Sequence, residues 1–347
     1  MKRRAVLGLL SAGTLVRTGG PGAAAGTNGP EWQDAWQAWK SLFVTPDGRV
    51  IDALQGDASH SEGQGWGMLL AVAFDDREVF ARMLDWTEAH LAVRQDALLA
   101  WRWRPGVGIA DFNNASDGDL FFAWALLRAA RRFDAPHLAD RAAAVARAID
   151  TILVRDAPGG GLLLRPAAER FSGPGYEIVN PSYLMPRALH ALAAAFDLPR
   201  LARASADGEA LMGRIAADGL VPDWITLTEA GMRPPDVLPA AFGYDALRVP
   251  LYLIWSGRLA HPAVQRARAL FDDPSGVPVR AERTGNVLER SDAAGYRALA
   301  TLVRCIGRAV PAERMPPFSA DQSYYPATLH LLAAVAAHEA AEFCLPN

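Results

Sequence analysis

The segment "DDREVFARMLDWTEAHL" (residues 75–91) places Val79, Met83, Trp86 and His90 on one stripe, with Phe80 and Leu84 beside it. Apolar residues recurring every three or four positions predict an amphipathic helix, and Asp76 stands where its N-cap belongs. The same periodicity returns in "GDLFFAWALLRAARRF", "HLADRAAAVARAIDTILV", "PSYLMPRALHALAAAF", "LARASADGEALMGRIAADG", "DALRVPLYLIWSGRLA", "AVQRARALFDD", "AAGYRALATLVRCI" and "SYYPATLHLLAAVAAHEAAEF". Alternating strand patterns are nearly absent; "GLLLRP" and "DWITL" alone suggest a small hairpin or edge strands. About ten to twelve helices joined by short polar connectors, without a Ser-, Pro- or charge-rich linker, predict one compact all-α domain. Such helices stack as an open solenoid or pair as hairpins closing into a barrel. No fixed-period repeat is visible, which counts against the solenoid.

The 347 residues are 51% hydrophobic and carry a net charge of −3. Outside the N-terminus there is no block of Lys and Arg, so neither nucleic acid nor a membrane surface is the expected partner. The opening "MKRRAVLGLLSAGTLVRTGGPGAAAGTNG" has a basic triplet, an apolar run and small residues leading to Ala23-Ala24-Ala25. That order predicts an export signal over residues 1–25 and a mature domain over 26–347, periplasmic or secreted. Arg3-Arg4 fits a twin-arginine signal, and a Sec signal fits equally. No later segment has the ~20 uninterrupted apolar residues of a membrane span. Cys305 and Cys344 are the only cysteines, either joined in one disulfide or present as two unrelated thiols, with no metal-ligand spacing.

Acids, amides and aromatics gather in four connectors: "SEGQGWGM" (61–68), "WRWRPGVGIADFNNASDGDL" (101–120), "EIVNPSYLMP" (177–186) and "FGYDALRV" (242–249). Each lies at or just before a helix start, where a barrel of hairpins gathers alternate loops at one end. Glu62 is flanked by glycines that permit a sharp turn close to a ligand. Partial desolvation there, beside Trp66, suits a general acid; a first-turn acid facing the helix dipole is the plainer alternative. Ser116 or Asp117 reads as an ordinary N-cap, with Asp119 a first-turn acid, while Asn113 and Asn114 beside them would suit sugar hydroxyls. Asp245 and Arg248, three residues apart, share a helix face, either as a plain surface ion pair or as a held catalytic carboxylate. Trp101, Trp103 and Tyr183 offer flat faces to sugar rings, with core burial the standing alternative. Acids paired with aromatics suit glycosidic cleavage, which needs one carboxylic acid and one carboxylate and no metal or organic cofactor. No zinc spacing, phosphate loop or GxSxG elbow competes with that reading.

Taken together, "WKSLFVTPDGRVID", "SEGQGWGM", "LDWTEAHL", "LAWRWRP", "NNASDGDLFFAWALLRAARRF", "NPSYLMP", "YDALRVPLYLIW" and "DQSYYPATLHLLA" resemble glycoside hydrolase family eight, in particular its periplasmic branch encoded with bacterial cellulose synthase. The resemblance runs from about Trp32 over nearly the whole mature chain, with Phe122 standing where a smaller aliphatic residue is expected. It implies an (α/α)6 barrel, a cleft for β-1,4-glucan and endo-hydrolysis with inversion. By motif, Glu62 would be the general acid, Asp245 the general base and Asp117 the residue that orients the sugar. Tyr183 and Arg248 would support the water and the base. Trp101 and Trp103 as stacking platforms, and Asn114 as a hydroxyl reader, follow from position and chemistry. Functional association with a cellulose synthase complex is a further implication. Chitosan, xylan or mixed-linkage glucan are alternative substrates on the same fold, and a non-catalytic glucan-binding protein is the rival from another class.

Overall fold

The computed structural model describes residues 29–273, 275–307 and 314–344, so the export signal expected over 1–25 lies outside the described residues. The first helical expectation is met in detail. Arg77–His90 is a helix that buries Val79, Phe80, Met83 and Trp86, and its N-cap Asp76 accepts a hydrogen bond from the Val79 N–H. Eleven α-helices occur among the described residues: α1 (Pro30–Phe43), α2 (Ser61–Ala73), α3 (Arg77–His90), α4 (Ser116–Arg132), α5 (His137–Ala148), α6 (Pro186–Phe196), α7 (Pro199–Ala217), α8 (Arg248–Trp255), α9 (Pro262–Phe271), α10 (Ala294–Cys305) and α11 (Tyr324–Ala340).

Six of them close a ring. α2 packs on α4, α4 on α6, α6 on α8, α8 on α10, α10 on α11, and α11 returns to α2. The remaining helices form an outer layer, with α3, α5, α7 and α9 each packed on the inner helix that precedes it and α1 lying against α11. The sequence assigns the two layers. In α2, 11 of 13 residues are buried, and α8 is buried along its whole length; a helix apolar on all sides belongs in the centre. Outer helices such as α3 and α5 bury one stripe and leave their charges to water. The result is an (α/α)6 barrel in which the connection from α10 to α11 has no helix among its described residues.

The glycines of "SEGQGWGM" differ from the expectation of a sharp turn. They lie inside α2, and their role is close helix packing. A Cβ on Gly65 would stand 2.8 Å from the Phe121 Cβ, and one on Gly118 would stand 2.7 Å from the Glu62 nitrogen. Bare backbone at these positions lets α2 and α4 approach nearer than any side chain would allow.

Short antiparallel strands decorate the barrel. β1 (Ser59–His60) pairs with β2 (Arg102–Trp103), and β3 (Val154–Asp156) with β4 (Leu162–Leu164). β5 (Ser172–Gly173), β6 (Tyr176–Val179), β7 (Ile225–Thr228) and β8 (Gly231–Arg233) form a four-stranded sheet in that order, with Val179 opposite Ile225. β9 (Val277–Ala281) pairs with β10 (Val287–Ser291). β4 and β7 lie on the two segments expected to be strands; the β9–β10 hairpin has no counterpart in the periodicity reading. Cys305 and Cys344 are joined in a disulfide that ties the end of α10 to the turn after α11. No helix among the described residues is long and apolar enough to cross a membrane.

Candidate active site

The site is assembled where α2, α4 and α8 begin. Glu62 lies in the first turn of α2, Asp117 in the first turn of α4, and Arg248 is the first residue of α8. Gly118 packs directly on the Ser61–Glu62 backbone. That contact limits how far Glu62 can stand from Asp117, because Asp117 immediately precedes Gly118 and the Glu62 nitrogen is among the atoms touched.

Arg248 is the centre of the cluster and is 3% exposed. One terminal nitrogen, Nη1, pairs with Glu62 Oε1 and lies 3.7 Å from Asp117 Oδ2. The other, Nη2, donates to Asp245 Oδ1 and to Ser182 Oγ, each at 2.7 Å. The guanidinium sits 5.5 Å from the Trp66 ring centre and 5.8 Å from that of Tyr183. The plain surface pair that Asp245 and Arg248 suggested by spacing is therefore replaced by a buried hub joining three helix starts. Two hydrogen bonds of ordinary length plus the width of a guanidinium allow the Glu62 and Asp245 oxygens it holds a separation of at most about 7–8 Å.

Asp245 occupies the turn before α8 and caps nothing; the N-cap of α8 is Leu247. Its second oxygen accepts from Asn180 Nδ2 at 2.9 Å, and the Trp224 indole also donates to it. Its side chain remains 32% exposed at the floor of the site, reachable by water yet walled by protein. Burial pushes its carboxyl up to about 6, against the two donated hydrogen bonds. Asp117 is likewise not the N-cap of α4, a place taken by Ala115 without a side-chain bond. Its Oδ1 accepts from the Gly118 N–H at 2.8 Å. Burial raises its carboxyl to about 8, with the Asp245 charge adding to the rise. Asp117 accordingly keeps its proton to higher pH than Asp245 does, which suits the one to donate and the other to accept.

Tyr183, in the turn Pro181–Tyr183, stands edge-on to Trp224 and close to both carboxyls, and burial raises its hydroxyl well above the usual tyrosine range. Trp101 is brought beside the cluster: its carbonyl accepts from the Ser61 N–H at 3.0 Å, and its ring stacks on His60 with the Arg102 guanidinium 4.1 Å from its centre. Trp103 is carried elsewhere, edge-on to Trp86 and His90 and covered by the Arg49 guanidinium. Asn114 corrects the expectation of a hydroxyl reader. It is 3% exposed, donates to Asp119 Oδ2 at 2.8 Å and accepts from the Ala168 N–H at 2.7 Å. With both ends of its amide bonded inside the protein, it pins the loop at Ala168 to α4. Asp119 also accepts from the Leu99 N–H at 2.7 Å, which anchors the segment leading to Trp101.

Four contributors were not singled out in the sequence, although Asn180 and Ser182 lie in the marked connector 177–186. Asn180, Ser182, Asp223 and Trp224 meet the cluster only through the fold, and "NPSY" and "PDW" give no periodicity to mark them. No group of three or more His, Cys, Asp or Glu side chains among the described residues is arranged to hold a metal ion. What remains is a solvent-reaching carboxyl, a carboxyl paired with the same arginine, and a third carboxyl whose burial favours its protonated form.

The chain matches the family model described as glycosyl hydrolases family 8 over residues 21–339. It is 34% identical over 317 residues to a probable endoglucanase of Novacetimonas hansenii, covering 88% of this chain and 90% of that one. It is 37% identical over 228 residues to an endoglucanase of Cellulomonas uda, spanning 64% of this chain and 63% of that one. Among solved structures, a family 8 endoglucanase from Klebsiella pneumoniae superposes with a TM-score of 0.81 at 32% identity, covering 88% of this chain and 99% of that one. An endo-β-1,4-glucanase from Acetobacter xylinum gives 0.80 at 30% identity, covering 88% and 97%. By sequence over nearly its full length and by fold, the chain belongs to glycosyl hydrolase family 8.

Proposed function

We propose that the protein is an endo-β-1,4-glucanase that cleaves cellulose-like glucan with inversion, Glu62 acting as general acid and Asp245 as general base. The observation that carries this reading is the pairing of Glu62 and Asp245 with opposite ends of the one buried guanidinium of Arg248. An inverting pair stands ~6.5–9.5 Å apart to admit water, against ~5 Å for a retaining pair. In the reaction, water adds to the anomeric carbon from the Asp245 side and gives its proton to that carboxylate. The bond from the anomeric carbon to the glycosidic oxygen breaks, and that oxygen takes the proton of Glu62. Exchange with solvent then returns the proton from Asp245 and restores Glu62.

In the free protein Glu62 is engaged by Arg248, so bound glucan has to part the two before the acid can deliver its proton. Asp117, whose burial favours its protonated form, donates to the sugar at the cleavage point. Tyr183 and Arg248 orient the attacking water and Asp245, and Trp101 stacks on a sugar ring beside Glu62. Trp103 serves the same cleft less directly, by supporting the β1–β2 pair.

Residues 1–25 act as the export signal and 26–347 as one catalytic domain, delivered to the periplasm or outside the cell. The Cys305–Cys344 disulfide supports an oxidising compartment. The similarity to the Novacetimonas and Acetobacter enzymes supports a place in cellulose synthesis or export, in functional association with a cellulose synthase complex. The test is release of reducing ends from soluble carboxymethylcellulose by the mature chain, with Glu62→Gln and Asp245→Asn as folded controls. Release by the native chain and loss of at least about 10³-fold in either control is expected. A folded native chain without activity on this polymer, or a control retaining near-normal turnover, overturns the reading.

A further inference from the structure

Asp245 sits on a four-residue turn, Gly243–Ala246, whose carbonyls accept from the Leu247 N–H, the Tyr325 hydroxyl, the Arg248 N–H and the Val249 N–H, leaving its amides to be held from the other side. One side chain grips that turn from behind. Asp223 Oδ1 accepts from the Gly243 N–H at 3.0 Å and from the Ala246 N–H at 2.8 Å, and the Asp245 N–H also donates to the Asp223 carboxyl. Three amides of one turn thus converge on a single carboxyl, which is buried with its residue. Gly243 is part of the same device: a Cβ there would fall 2.4 Å from Asp223 Oδ2, so only glycine lets the carboxyl close on the turn.

The segment bearing Asp223 is itself fastened. Its N–H donates to the Ala241 carbonyl at 2.8 Å, and the Trp224 N–H donates to the Pro239 carbonyl at 3.1 Å. The next side chain along, Trp224, places its indole N–H on the Asp245 carboxyl. "PDW" (222–224) therefore reaches Asp245 twice, through the turn's backbone and through the carboxyl itself. We propose that Asp223 is a positioning residue for the general base, setting where the Asp245 carboxylate stands relative to the attacking water without touching substrate. This rests on the base role given to Asp245 above.

The groups facing Asp223 and its turn are Asp245 on the turn and Arg248 at the start of α8, with Tyr325 of α11 and Glu289 of β10 on Tyr244, Asn180 and Ser182 from the turn after β6, and Asp117 and Glu62 beyond the arginine. Arg248 is the cation of the cluster, and it is already shared among Asp245, Glu62 and Ser182. Burial, with the Asp245 charge adding to it, raises the Asp223 carboxyl to about 7. The grip therefore does not depend on full ionisation, since a neutral acid still has a carbonyl oxygen to accept the amides. An asparagine keeps that acceptor and an alanine removes it.

The experiment is steady-state hydrolysis of carboxymethylcellulose by Asp223→Ala and Asp223→Asn, with the native chain and Asp245→Asn alongside and folding checked by circular dichroism. Asp223→Ala is expected to lose about 10²-fold in kcat, the effect of displacing a catalytic group by about 1 Å, with KM changed by less than about threefold. Asp223→Asn should recover at least about tenfold of that loss. A folded Asp223→Ala with native kcat overturns the proposal, as does Asp223→Asn impaired as deeply as alanine or a loss confined to KM. Should Asp223→Ala fail to fold, Asp223→Asn and Gly243→Ala carry the test, the latter expected to reproduce the kcat loss by pushing the turn off the carboxyl. If the native chain is inactive, or Asp245→Asn is active, it is the enzymatic reading or the base assignment that fails and not the grip.

Discussion

Replacing Gly118 by alanine strikes the contact that sets the spacing of two of the three carboxyls. The added Cβ would lie 2.7 Å from the Glu62 backbone nitrogen and 2.7 Å from the Ser61 Cβ, where ordinary contacts begin at 3.4 Å. Ser61 Oγ, at 2.0 Å, can rotate away, but the backbone nitrogen cannot. The starts of α2 and α4 must then part by about 0.7 Å (3.4 − 2.7), carrying Glu62 away from Asp117. Overpacking of this kind costs about 1–3 kcal/mol, offset by at most ~1 kcal/mol from the better helix propensity of alanine. A shift approaching 1 Å at reacting groups corresponds to about 10- to 100-fold in kcat. Gly213 in α7 supplies the matched control, because a Cβ there meets only His261 Nε2 at 3.8 Å. Gly213→Ala should be neutral or stabilising by up to ~1 kcal/mol and fully active. Urea unfolding and carboxymethylcellulose kinetics on both variants decide the matter. A Gly118→Ala protein as stable and as active as Gly213→Ala would refute the argument that this close approach positions the site.

Asp117→Asn tests the electrostatics. The folded value of about 8 lies above the ordinary 3.8, so the folded state binds the extra proton and the stability it confers fades as pH rises from about 4 to 8. The melting temperature of Asp117→Asn should therefore gain on that of the native chain across this window while activity is lost; a difference constant with pH contradicts the buried, protonated carboxyl. The disulfide closes a loop of 39 residues, worth about 4 kcal/mol through the unfolded chain. Urea midpoints with and without a reductant should differ accordingly, and identical midpoints would argue that the bond contributes nothing.

Helical periodicity made the layers legible because inner and outer helices differ in how far their apolar face extends. α3 shows one stripe and α2 shows apolar or small residues all round. The connectors marked out Glu62, Asp117, Tyr183, Asp245 and Arg248, and the fold brings these five to one end of the barrel. What spacing could not reveal was partnership. Arg248 is three residues from Asp245, which suggests a pair, but its bond to Glu62 spans 186 positions and depends on ring closure. Asn114 and Trp103 have the right chemistry for a sugar, yet each is engaged by neighbours remote in sequence: Ala168 for one, Arg49 for the other. The glycines around Glu62 look like turn residues because a sequence does not display the helix that lies across them. Asp223 left no trace for the same reason, since its partners are amides of a turn 20 residues away.

On the proposed assignment, Glu62 and Asp245, both gathered on Arg248 in the free protein, hydrolyse β-1,4-glucan with water entering on the Asp245 side once glucan has parted Glu62 from the arginine. The most direct test is time-resolved proton NMR of the anomeric signals while the mature chain cleaves a soluble cello-oligosaccharide. Inversion predicts that the α-anomer appears first and the β-anomer grows only by mutarotation. Initial release of the β-anomer would mean retention, and it would contradict the assignment of Asp245 as a base acting through water.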